Sequence, residues 1–429
     1  MDLKENIVES KMFTANERWK EGFNYYISFF LWPFGVTLAA LRHWDRPWSK
    51  NVFWLFCIFL GFTFIIAEEG GADSDRYARL FVHYAHSNLS LAELWSSFYS
   101  ETSSYVDIFS PLITYLVSRL TDNPIALFIV FALIFGYFFS RNIWFVLERL
   151  DGKITLIVFI YILTFALINP IWNINGFRFN VAAQVFLFGA LPFVLEGNRK
   201  SLIWSGISIF FHFSFMLPVT ILFVYIILRN RLNIYFVFFI ISAFIKEIDL
   251  LYVRSILLLL PDIFHSKIIN YTNPEYAEAL SNARQVLNWY VPLSNNAIKW
   301  VVYGTMVYIY FFARHFLKER KDLTSLMSFS LLLYGFANIV SLIPIMGRFI
   351  MVSNTFMYAF IILFITSFPS IKGMTLINVL SLPFILLFCT VSIRIGMDYY
   401  GLMAVLGNPF IAAFYSDTTP MITSIKRLL

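Results

Sequence analysis

Apolar segments separated by short polar breaks follow one another along almost the whole chain. Several approach the roughly 20 residues that a helix needs to cross a bilayer. The segments lie at about residues 26–41, 51–67, 124–147, 154–168, 179–195, 201–217, 218–228, 232–245, 298–313, 324–343, 349–367 and 374–393. The pattern predicts an all-α polytopic membrane protein, and the chain length leaves room for roughly 10–12 transmembrane helices.

The composition supports a membrane protein and argues against a soluble protein and against a nucleic-acid-binding protein. Hydrophobic residues make up 59% of the chain and charged residues 14%, whereas about a quarter of a soluble domain is charged. The formal charge of +6 is spread over short loops, so no basic stripe indicates a nucleic-acid partner. Both cysteines lie in apolar segments, without metal-ligand spacing or a disulfide pattern. We expect membrane lipids around the protein, and no metal or cofactor.

The segments predict one transmembrane domain over residues 26–429, with external loops at 68–123 and 247–297. Within the first loop, 108–120 is too short to span and indicates an interfacial or re-entrant helix. The N-terminal stretch 1–25 mixes charged and aromatic residues and lacks the apolar core of a signal peptide. This stretch therefore predicts an interfacial amphipathic segment.

The distribution of Lys and Arg predicts which loops face the cytoplasm, because cytoplasmic loops carry an excess of both. Basic residues concentrate in the short loops 42–50, 148–153, 196–200, 229–231, 314–323 and 368–373. All of these loops fall on one side only if 201–228 is a pair of helices around Pro218 and not one long span. The charges therefore favour the pair. The segment 26–41 has basic residues on both flanks, so its topology stays open.

Arg178 lies in a polar break, Asn169 to Asn180, between two apolar segments. A guanidinium keeps its proton, and placing it in the bilayer interior costs roughly 2.5–3.5 kcal/mol on insertion scales. Either a buried carboxylate or an anionic ligand must offset that cost. Because the apolar segments contain few carboxylates, we interpret Arg178 as an anion-binding residue.

Two further arginines stand at predicted external ends of spans. Arg348 follows a Pro-Ile-Met-Gly break, and Arg394 precedes Asp398 at the i,i+4 spacing of a helical ion pair. Planar guanidinium groups bind phosphate oxygens in a bidentate way, so a cluster facing an external cavity would suit a diphosphate. The alternative to phosphate binding is that each arginine side chain only extends its charge to the membrane interface. The spacing favours a structural pair for Arg394, whereas the adjacent Pro and Gly break favours an anion-binding role for Arg348.

His212 stands among apolar residues at the predicted external end of a span. Near neutral pH, a histidine in that position can donate a hydrogen bond to a phosphate or transfer a proton. The alternative is a packing residue inside an apolar helix. Because the predicted topology places His212 on the same side as Arg178, we take it as a candidate catalytic residue.

The stretch from Glu68 to Tyr77 opens the long external segment directly after a span. Its Asp73 can act as a general base toward a sugar hydroxyl or hold a divalent cation. The alternative is a solvated helix start, where Asp is favoured. We take Asp73 as a candidate catalytic residue, and its neighbours Asp75, Arg76 and Tyr77 as candidate substrate-binding residues.

The loop 247–297 mixes tyrosine and tryptophan with asparagine and aspartate. Aromatic faces and amide groups suit a sugar chain, which offers apolar ring faces and many hydroxyls. The alternative is an interfacial aromatic belt. Tyr290 is the candidate substrate-binding residue from this loop.

Several of these motifs occur in a recognisable order along the chain. The order is Gly71-Ala-Asp73-x-x-x-Tyr77, a short interfacial segment, Asn175-Gly-Phe-Arg178, Phe211-His212-Phe-Ser214 and Gly347-Arg348-Phe. Over about residues 50 to 410, this order resembles the EpsG-like branch of the Wzy-type polysaccharide polymerases. Each motif is short, so the order and the predicted sidedness carry the resemblance. The chain departs from the pattern at its N-terminal extension and after Arg178, where Phe179-Asn180 stands in place of an expected Gln.

The resemblance implies an enzyme of the bacterial inner membrane that acts at the periplasmic face on undecaprenyl-diphosphate-linked oligosaccharides. Such a polymerase moves the growing O-antigen, capsule or exopolysaccharide chain from its lipid diphosphate onto the terminal sugar of another lipid-linked repeat. The implied fold is the C-type glycosyltransferase architecture with an external cavity. A chain-length regulator and other glycan-export proteins are the implied protein partners.

The same resemblance suggests roles for the candidate residues. Electrostatic stabilisation is often the largest catalytic term, and a diphosphate leaving group needs fixed cations. We assign that role to Arg178 and Arg348, assisted by His212, with Asp73 as the base or as the group that orients the acceptor. The candidate substrate-binding residues are Asp75, Arg76, Tyr77, Asn175, Tyr290 and Arg394.

Two other functions remain open. A flippase for lipid-linked oligosaccharides also needs arginines, but it needs an alternating pathway as well, usually with internal repeats. The chain shows no such repeat, and its candidate groups gather on one predicted side. An O-antigen ligase-like transferase, which moves finished chains to another acceptor, is the nearer alternative.

Overall fold

A computed structural model describes residues 15–67, 73–97, 107–285, 288–415 and 418–428. These residues are mostly helical, and the one β-bridge among them is an antiparallel pairing of Phe64 with Tyr400. The prediction of an all-α protein is confirmed. Residues 1–14 of the predicted amphipathic segment lie outside the described residues.

Helices α1 to α11 occupy the first half of the described chain. They are α1 (Ala15–Phe29), α2 (Pro33–Leu41), α3 (Ser49–Phe62), α4 (Asp73–His86), α5 (Leu91–Ser97), α6 (Phe109–Ser118), α7 (Ile125–Leu147), α8 (Leu156–Ile168), α9 (Phe177–Glu196), α10 (Leu202–Phe211) and α11 (Met216–Leu228). Helix α1 continues beyond the predicted amphipathic segment, so the boundary at residue 25 is not a helix end.

Helices α12 to α22 occupy the second half. They are α12 (Leu232–Phe244), α13 (Leu250–Leu257), α14 (His265–Tyr271), α15 (Pro274–Gln285), α16 (Tyr290–Tyr308), α17 (Lys321–Val340), α18 (Phe349–Ser367), α19 (Lys372–Gly396), α20 (Met403–Leu406), α21 (Pro409–Phe414) and α22 (Met421–Leu428). The described parts of the two predicted external loops are therefore largely helical, through α4 to α6 in the first and α13 to α15 in the second.

Among the described residues, five stretches are helical, long and apolar enough to cross a membrane. They are Ile125–Leu147, Leu156–Glu196, Lys321–Val340, Met346–Ser367 and Lys372–Gly396. Shorter apolar helices lie at Ser49–Phe62, Phe109–Ser118, Phe213–Leu228 and Leu232–Phe244. The chain is a multi-pass membrane protein. A total of about 10–12 spans and the C-type architecture stay predictions.

Helix α18 is the central helix of the bundle. All of its side chains from Phe349 to Thr366 are buried except that of Met351, as expected for a helix that is apolar all round. It packs against α8, α16 and α17. From α17 the packing continues through α9 to α7 and α3, and α19 closes the other side against α8 and α16.

The loops that the sequence predicts to be cytoplasmic meet at one end of this bundle. Asp151 of the 148–153 loop accepts hydrogen bonds of 2.6 Å from Arg320 and of 2.6 Å from Ser367, which ends α18. Two ion pairs join the neighbouring segments there, Lys50 with Glu148 and Arg149 with Glu196. The basic loops therefore share one side of the protein, as the charge distribution requires. Their cytoplasmic orientation stays a prediction.

The segment 201–228 is two helices, but the break lies at His212 and not at Pro218. Helix α10 ends at Phe211, and His212 has an extended backbone with φ −154° and ψ 116°. Pro218 lies in the first turn of α11, where its missing N–H removes no helical hydrogen bond. The prediction of a pair is right, and the predicted position of the break is wrong.

Candidate active site

A cavity of about 190 Å³ lies at the end of the bundle away from the basic loops. Helices α9 and α18 both begin at this end and finish at the basic loops. The cavity, called the site cavity, is lined by Asp73, Tyr77, Gly176, Arg178, Phe179, Asn180, His212 and Arg348. The four residues that the sequence proposes as catalytic therefore line one space, although they come from four separate segments.

Asparagine side chains hold the polar break between α8 and α9. Asn180 Nδ2 donates to the carbonyl oxygens of Asn173 at 3.1 Å and Gly176 at 2.9 Å. Asn169 Nδ2 in turn donates to the carbonyl of Asn180 at 3.0 Å. In a membrane, backbone groups exposed by a helix break need such internal partners. The bonds fix the start of α9, and they give Asn180 a structural role that the family resemblance does not suggest.

Arg178 has a buried carboxylate partner that the sequence analysis missed. Its Nη1 lies 3.0 Å from Asp107 Oδ2, and its Nε lies 3.3 Å from the hydroxyl of Tyr77. Asp107 is only 3% exposed, whereas the Arg178 side chain is 37% exposed. The pair offsets the cost of burying the guanidinium. Contrary to the prediction, Arg178 therefore needs no anionic ligand to offset the cost of its burial.

Asp107 also joins Arg178 to the turn at His212. Its second oxygen, Oδ1, accepts a hydrogen bond of 2.9 Å from the backbone N–H of Phe213. One carboxylate thus holds the start of α9 and the break between α10 and α11 in a fixed relation. In the sequence, Asp107 is an isolated Asp just before the short apolar helix α6. No local pattern connects it with Arg178.

Among the described residues, Arg348 is the cation of the site cavity that forms no ion pair. Its guanidinium forms no salt bridge and no hydrogen bond with the described residues, and its Nε is buried. The group lies over the ring of Phe179, 4.2 Å from the centroid. Such cation–π contacts contribute about 0.5–2 kcal/mol, less than a buried charge loses in solvation. An anion in the site cavity would complete its environment.

The turn that carries Arg348 contains a strained residue. Ile345 has φ +67°, a conformation that is unfavourable for a β-branched side chain. Residues of this kind cost on the order of 1–3 kcal/mol and concentrate at functional sites. Here the reversal leads into the 3₁₀ turn Met346–Arg348, which presents the guanidinium to the site cavity.

His212 is buried, and the extended backbone at the helix break brings its ring to the site cavity. The backbone N–H of Ser214 donates to its Nδ1 at 3.3 Å, and the Ser214 hydroxyl lies 2.8 Å from the same atom. Because Nδ1 accepts, a neutral ring carries its proton on Nε2. The ring also meets Phe179 edge to face, with 5.5 Å between centroids. His212 is thus fixed as a hydrogen-bond donor through Nε2.

Asp73 stands at the first position of α4 and pairs with Arg76 on the next turn. Its side chain is 37% exposed, so the carboxylate combines contact with the site cavity and access to water. The Cβ that an alanine would add at Gly176 would lie 3.6 Å from Asp73 Oδ2. A side chain at residue 176 would therefore contact the Asp73 carboxylate at the wall of the site cavity.

Tyr77 connects α4 with Arg178. Burial raises the pKa of its phenol above the ordinary value, although the charge of Arg178 opposes that shift. The hydroxyl therefore remains protonated at neutral pH while it accepts a hydrogen bond from Arg178 Nε. Tyr77 helps to orient the guanidinium and keeps a hydrogen to donate.

The other candidate substrate-binding residues are divided between neighbours of the cavity and distant positions. Asn175 lies beside the cavity, accepting from the Ser74 N–H at 3.1 Å and donating to Tyr399 at 3.3 Å. The remaining positions do not line the site cavity: Asp75, Arg76, Tyr290 and Arg394. Arg394 forms the ion pair with Asp398 that their spacing indicates, and Asp75 pairs with Arg79 beside a different cavity.

An apolar cavity of about 270 Å³ adjoins the same turns. Its lining includes Phe213, Leu217, Leu260, Phe264, Met346 and Phe349. Phe213 follows His212, and Met346 and Phe349 flank Arg348, so the polar and apolar cavities share their supporting segments. The arrangement can accept a ligand that has an anionic group next to a hydrocarbon chain.

A family model matches residues 52–403, which is more than half of the chain, and its description is the EpsG family. The chain belongs to the EpsG family. All four candidate catalytic residues of this EpsG-family protein lie within the matched region, as does Asp107. No curated protein and no solved structure matches the chain. Membership of the EpsG family indicates a polysaccharide polymerase-like role.

Proposed function

We propose that this EpsG-family protein is a glycosyltransferase that polymerises undecaprenyl-diphosphate-linked oligosaccharide repeats at the periplasmic face of the bacterial inner membrane. The observation that carries the proposal is the position of Arg348. A cation without a counter-ion among the described residues shares a cavity with Arg178, His212 and Asp73. That set contains an anion site, a hydrogen-bond donor and a carboxylate base within one small space.

The proposed reaction transfers a glycosyl group between two lipid-linked substrates. The bond between the anomeric carbon and the donor diphosphate breaks, and its electron pair remains on the diphosphate oxygen. A hydroxyl oxygen of the acceptor sugar bonds to the anomeric carbon, and its proton passes to the carboxylate of Asp73. Positioned general bases of this kind contribute roughly 10²–10⁴-fold to a rate.

The arginines stabilise the charge that develops on the leaving diphosphate. Fixed cations in a site with little water stabilise a developing negative charge more strongly than bulk solvent does, because they need not reorganise during the reaction. Arg348 supplies a whole guanidinium for this purpose. Arg178 uses Nη1 and Nε to bind Asp107 and Tyr77, and its remaining N–H groups can still donate, since a guanidinium has five.

His212 assists as a neutral donor. Because Nδ1 accepts from the Ser214 N–H, a neutral ring carries its hydrogen on Nε2, and we assign this N–H to a diphosphate oxygen. The apolar cavity beside the same turns supports a lipid-linked donor, because a polyprenyl chain bonded to the diphosphate needs an apolar surface next to the cations.

Reconstitution tests the proposal directly. The purified protein is placed in liposomes with a defined undecaprenyl-diphosphate-linked repeat, and the length of the glycan is measured. Growth of the glycan from the repeat alone is the expected result. Transfer only to an unrelated acceptor would identify a ligase, and translocation of the lipid without growth would identify a flippase.

A further inference from the structure

Arg141 places a positive charge inside a membrane span, apart from the site cavity. It lies in α7, a stretch long and apolar enough to cross a membrane, within the last two turns before Leu147. At 1.5 Å per residue, its backbone is roughly 9 Å from the end of the helix. A charged side chain inside a span is costly, so it needs a partner that offsets the charge.

The contacts of Arg141 orient its guanidinium without neutralising it. Nη1 donates to Ser140 Oγ at 2.8 Å, and Nη2 donates to Asn51 Oδ1 of α3 at 2.7 Å. The group also lies over two aromatic rings, 4.4 Å from the centroid of Tyr137 and 4.9 Å from that of Trp54. All of these partners are neutral. The remaining N–H groups can still donate, since a guanidinium has five.

Carboxylates accompany the neighbouring cations at this end of the bundle. Lys50 Nζ lies 3.2 Å from Glu148 Oε1, and Arg149 pairs with Glu196. Among the described residues, Arg141 forms no ion pair of this kind, and the two nearby glutamates already bind other cations. The charge of Arg141 therefore fits an anion that comes from outside the chain.

The surface around Arg141 faces outward from the bundle, where a membrane protein contacts lipid. Leu133, Tyr137 and Arg141 follow one another at four-residue spacing, so they share one face of α7. Leu133 is 40% exposed, and its carbonyl accepts a hydrogen bond of 2.9 Å from Trp54 Nε1. Tryptophan and tyrosine concentrate at membrane–water interfaces. At this depth a lipid phosphate can approach the guanidinium from the side.

We propose that the surface formed by Trp54, Tyr137 and Arg141 binds the phosphate of an anionic phospholipid in the leaflet at the basic-loop end. The guanidinium donates to the phosphate oxygens, and the two rings contact the glycerol and the upper acyl chains. An anionic headgroup is favoured over a zwitterionic one, because it has no ammonium to oppose the attraction of the basic loops. The lipid site does not depend on the proposed glycosyl transfer.

Native mass spectrometry of the full-length protein in detergent measures the dissociation constant of the first bound lipid. The probes are phosphatidylglycerol and phosphatidylcholine with the same acyl chains. We expect phosphatidylglycerol to bind about tenfold more tightly, as for a hydrogen bond to a charged group. Arg141→Gln should abolish that difference. Arg199→Gln, which removes an exposed cation from the 196–200 loop, should preserve it.

Thermal unfolding in nanodiscs separates lipid binding from a purely structural role of Arg141. The wild type should unfold at a higher temperature in phosphatidylglycerol than in phosphatidylcholine, and Arg141→Gln should unfold at the same temperature in both. A variant that loses stability equally in the two lipids, and so keeps the difference between them, would assign Arg141 to packing and overturn the proposal.

Two further results of the mass spectrometry would also overturn the proposal. An equal loss of phosphatidylglycerol affinity in Arg141→Gln and Arg199→Gln would show a general attraction between charges and no site. Displacement of the bound lipid by an excess of inorganic phosphate would identify an anion site that is open to water. Under the proposal, inorganic phosphate leaves the bound phosphatidylglycerol in place.

Discussion

Arg178 Nη1 and Asp107 Oδ2 lie 3.0 Å apart, although the two residues are separated by 71 positions in the chain. The carboxylate is almost fully buried and also binds the backbone of Phe213. A pair of this kind provides limited net stability, but removal of one partner leaves an uncompensated buried charge. The role of Asp107 is therefore to hold Arg178 and the His212 turn in place.

Asp107→Asn should destabilise the protein by about 1–3 kcal/mol, because the charge-assisted bond to Arg178 is lost while the 37% exposed guanidinium side chain keeps access to water. The double variant Asp107→Asn with Arg178→Gln should recover part of that loss. Thermal unfolding in detergent measures both. The matched control is Asp151→Asn, whose pair with Arg320 is partly exposed and should contribute at most about 1 kcal/mol. Equal losses in the two aspartate variants would contradict the assigned role.

His212→Ala should lower kcat for glycan elongation by about 10²–10³, the usual cost of removing one fixed donor to a developing negative charge. Ser214→Ala keeps the backbone N–H that donates to Nδ1, so its kcat should fall less than about tenfold. Single-turnover elongation separates this chemical effect from substrate binding. Comparable losses in both variants would assign His212 a packing role.

Gly176→Ala should restrict the site cavity. The new Cβ would lie 3.0 Å from Asn180 Nδ2 and 3.6 Å from Asp73 Oδ2, in a space of about 190 Å³. Elongation should fall, with a small decrease in the unfolding temperature because Asn180 Nδ2 must shift from its carbonyl partners. Gly206→Ala provides the control, because nothing lies within 4 Å of its added Cβ. Full activity of the Gly176 variant would show that substrate does not approach this wall.

Asp73→Asn should remove the proposed base and reduce elongation by roughly 10²–10⁴. Asp75→Asn is the neighbouring control, since Asp75 pairs with Arg79 and lines a different cavity. It should retain most of the activity. A larger loss in the Asp75 variant than in the Asp73 variant would place the base elsewhere.

The sequence predicts the polar breaks well, because interrupted apolar segments are visible locally. Arg178, His212, Arg348 and Asp73 all stand at such breaks, and the distribution of basic loops assigns them to one side. Their convergence on one cavity depends on packing between distant helices, which no local pattern contains. For the same reason the sequence does not reveal Asp107 as the partner of Arg178.

One wrong local prediction and one unpredicted feature have simple physical causes. Pro218 looks like a helix break, but a proline in the first turn of a helix is tolerated, and the break is at His212. The positive φ of Ile345 also escapes prediction, because a β-branched residue rarely adopts it. Tertiary packing around Arg348 must impose that conformation.

Elongation by Arg348 variants in liposomes tests whether Arg348 stabilises the leaving diphosphate. Three proteins are compared with the wild type at equal insertion: Arg348→Ala, Arg348→Lys and Arg394→Ala. Arg394 is already paired with Asp398 and lies outside the site cavity, so its variant should elongate glycans normally. We expect Arg348→Ala to lose at least about 10² in rate. Arg348→Lys should keep a higher elongation rate than Arg348→Ala but a lower one than the wild type, since an ammonium cannot bind phosphate in a bidentate way. Wild-type elongation by Arg348→Ala would contradict the account.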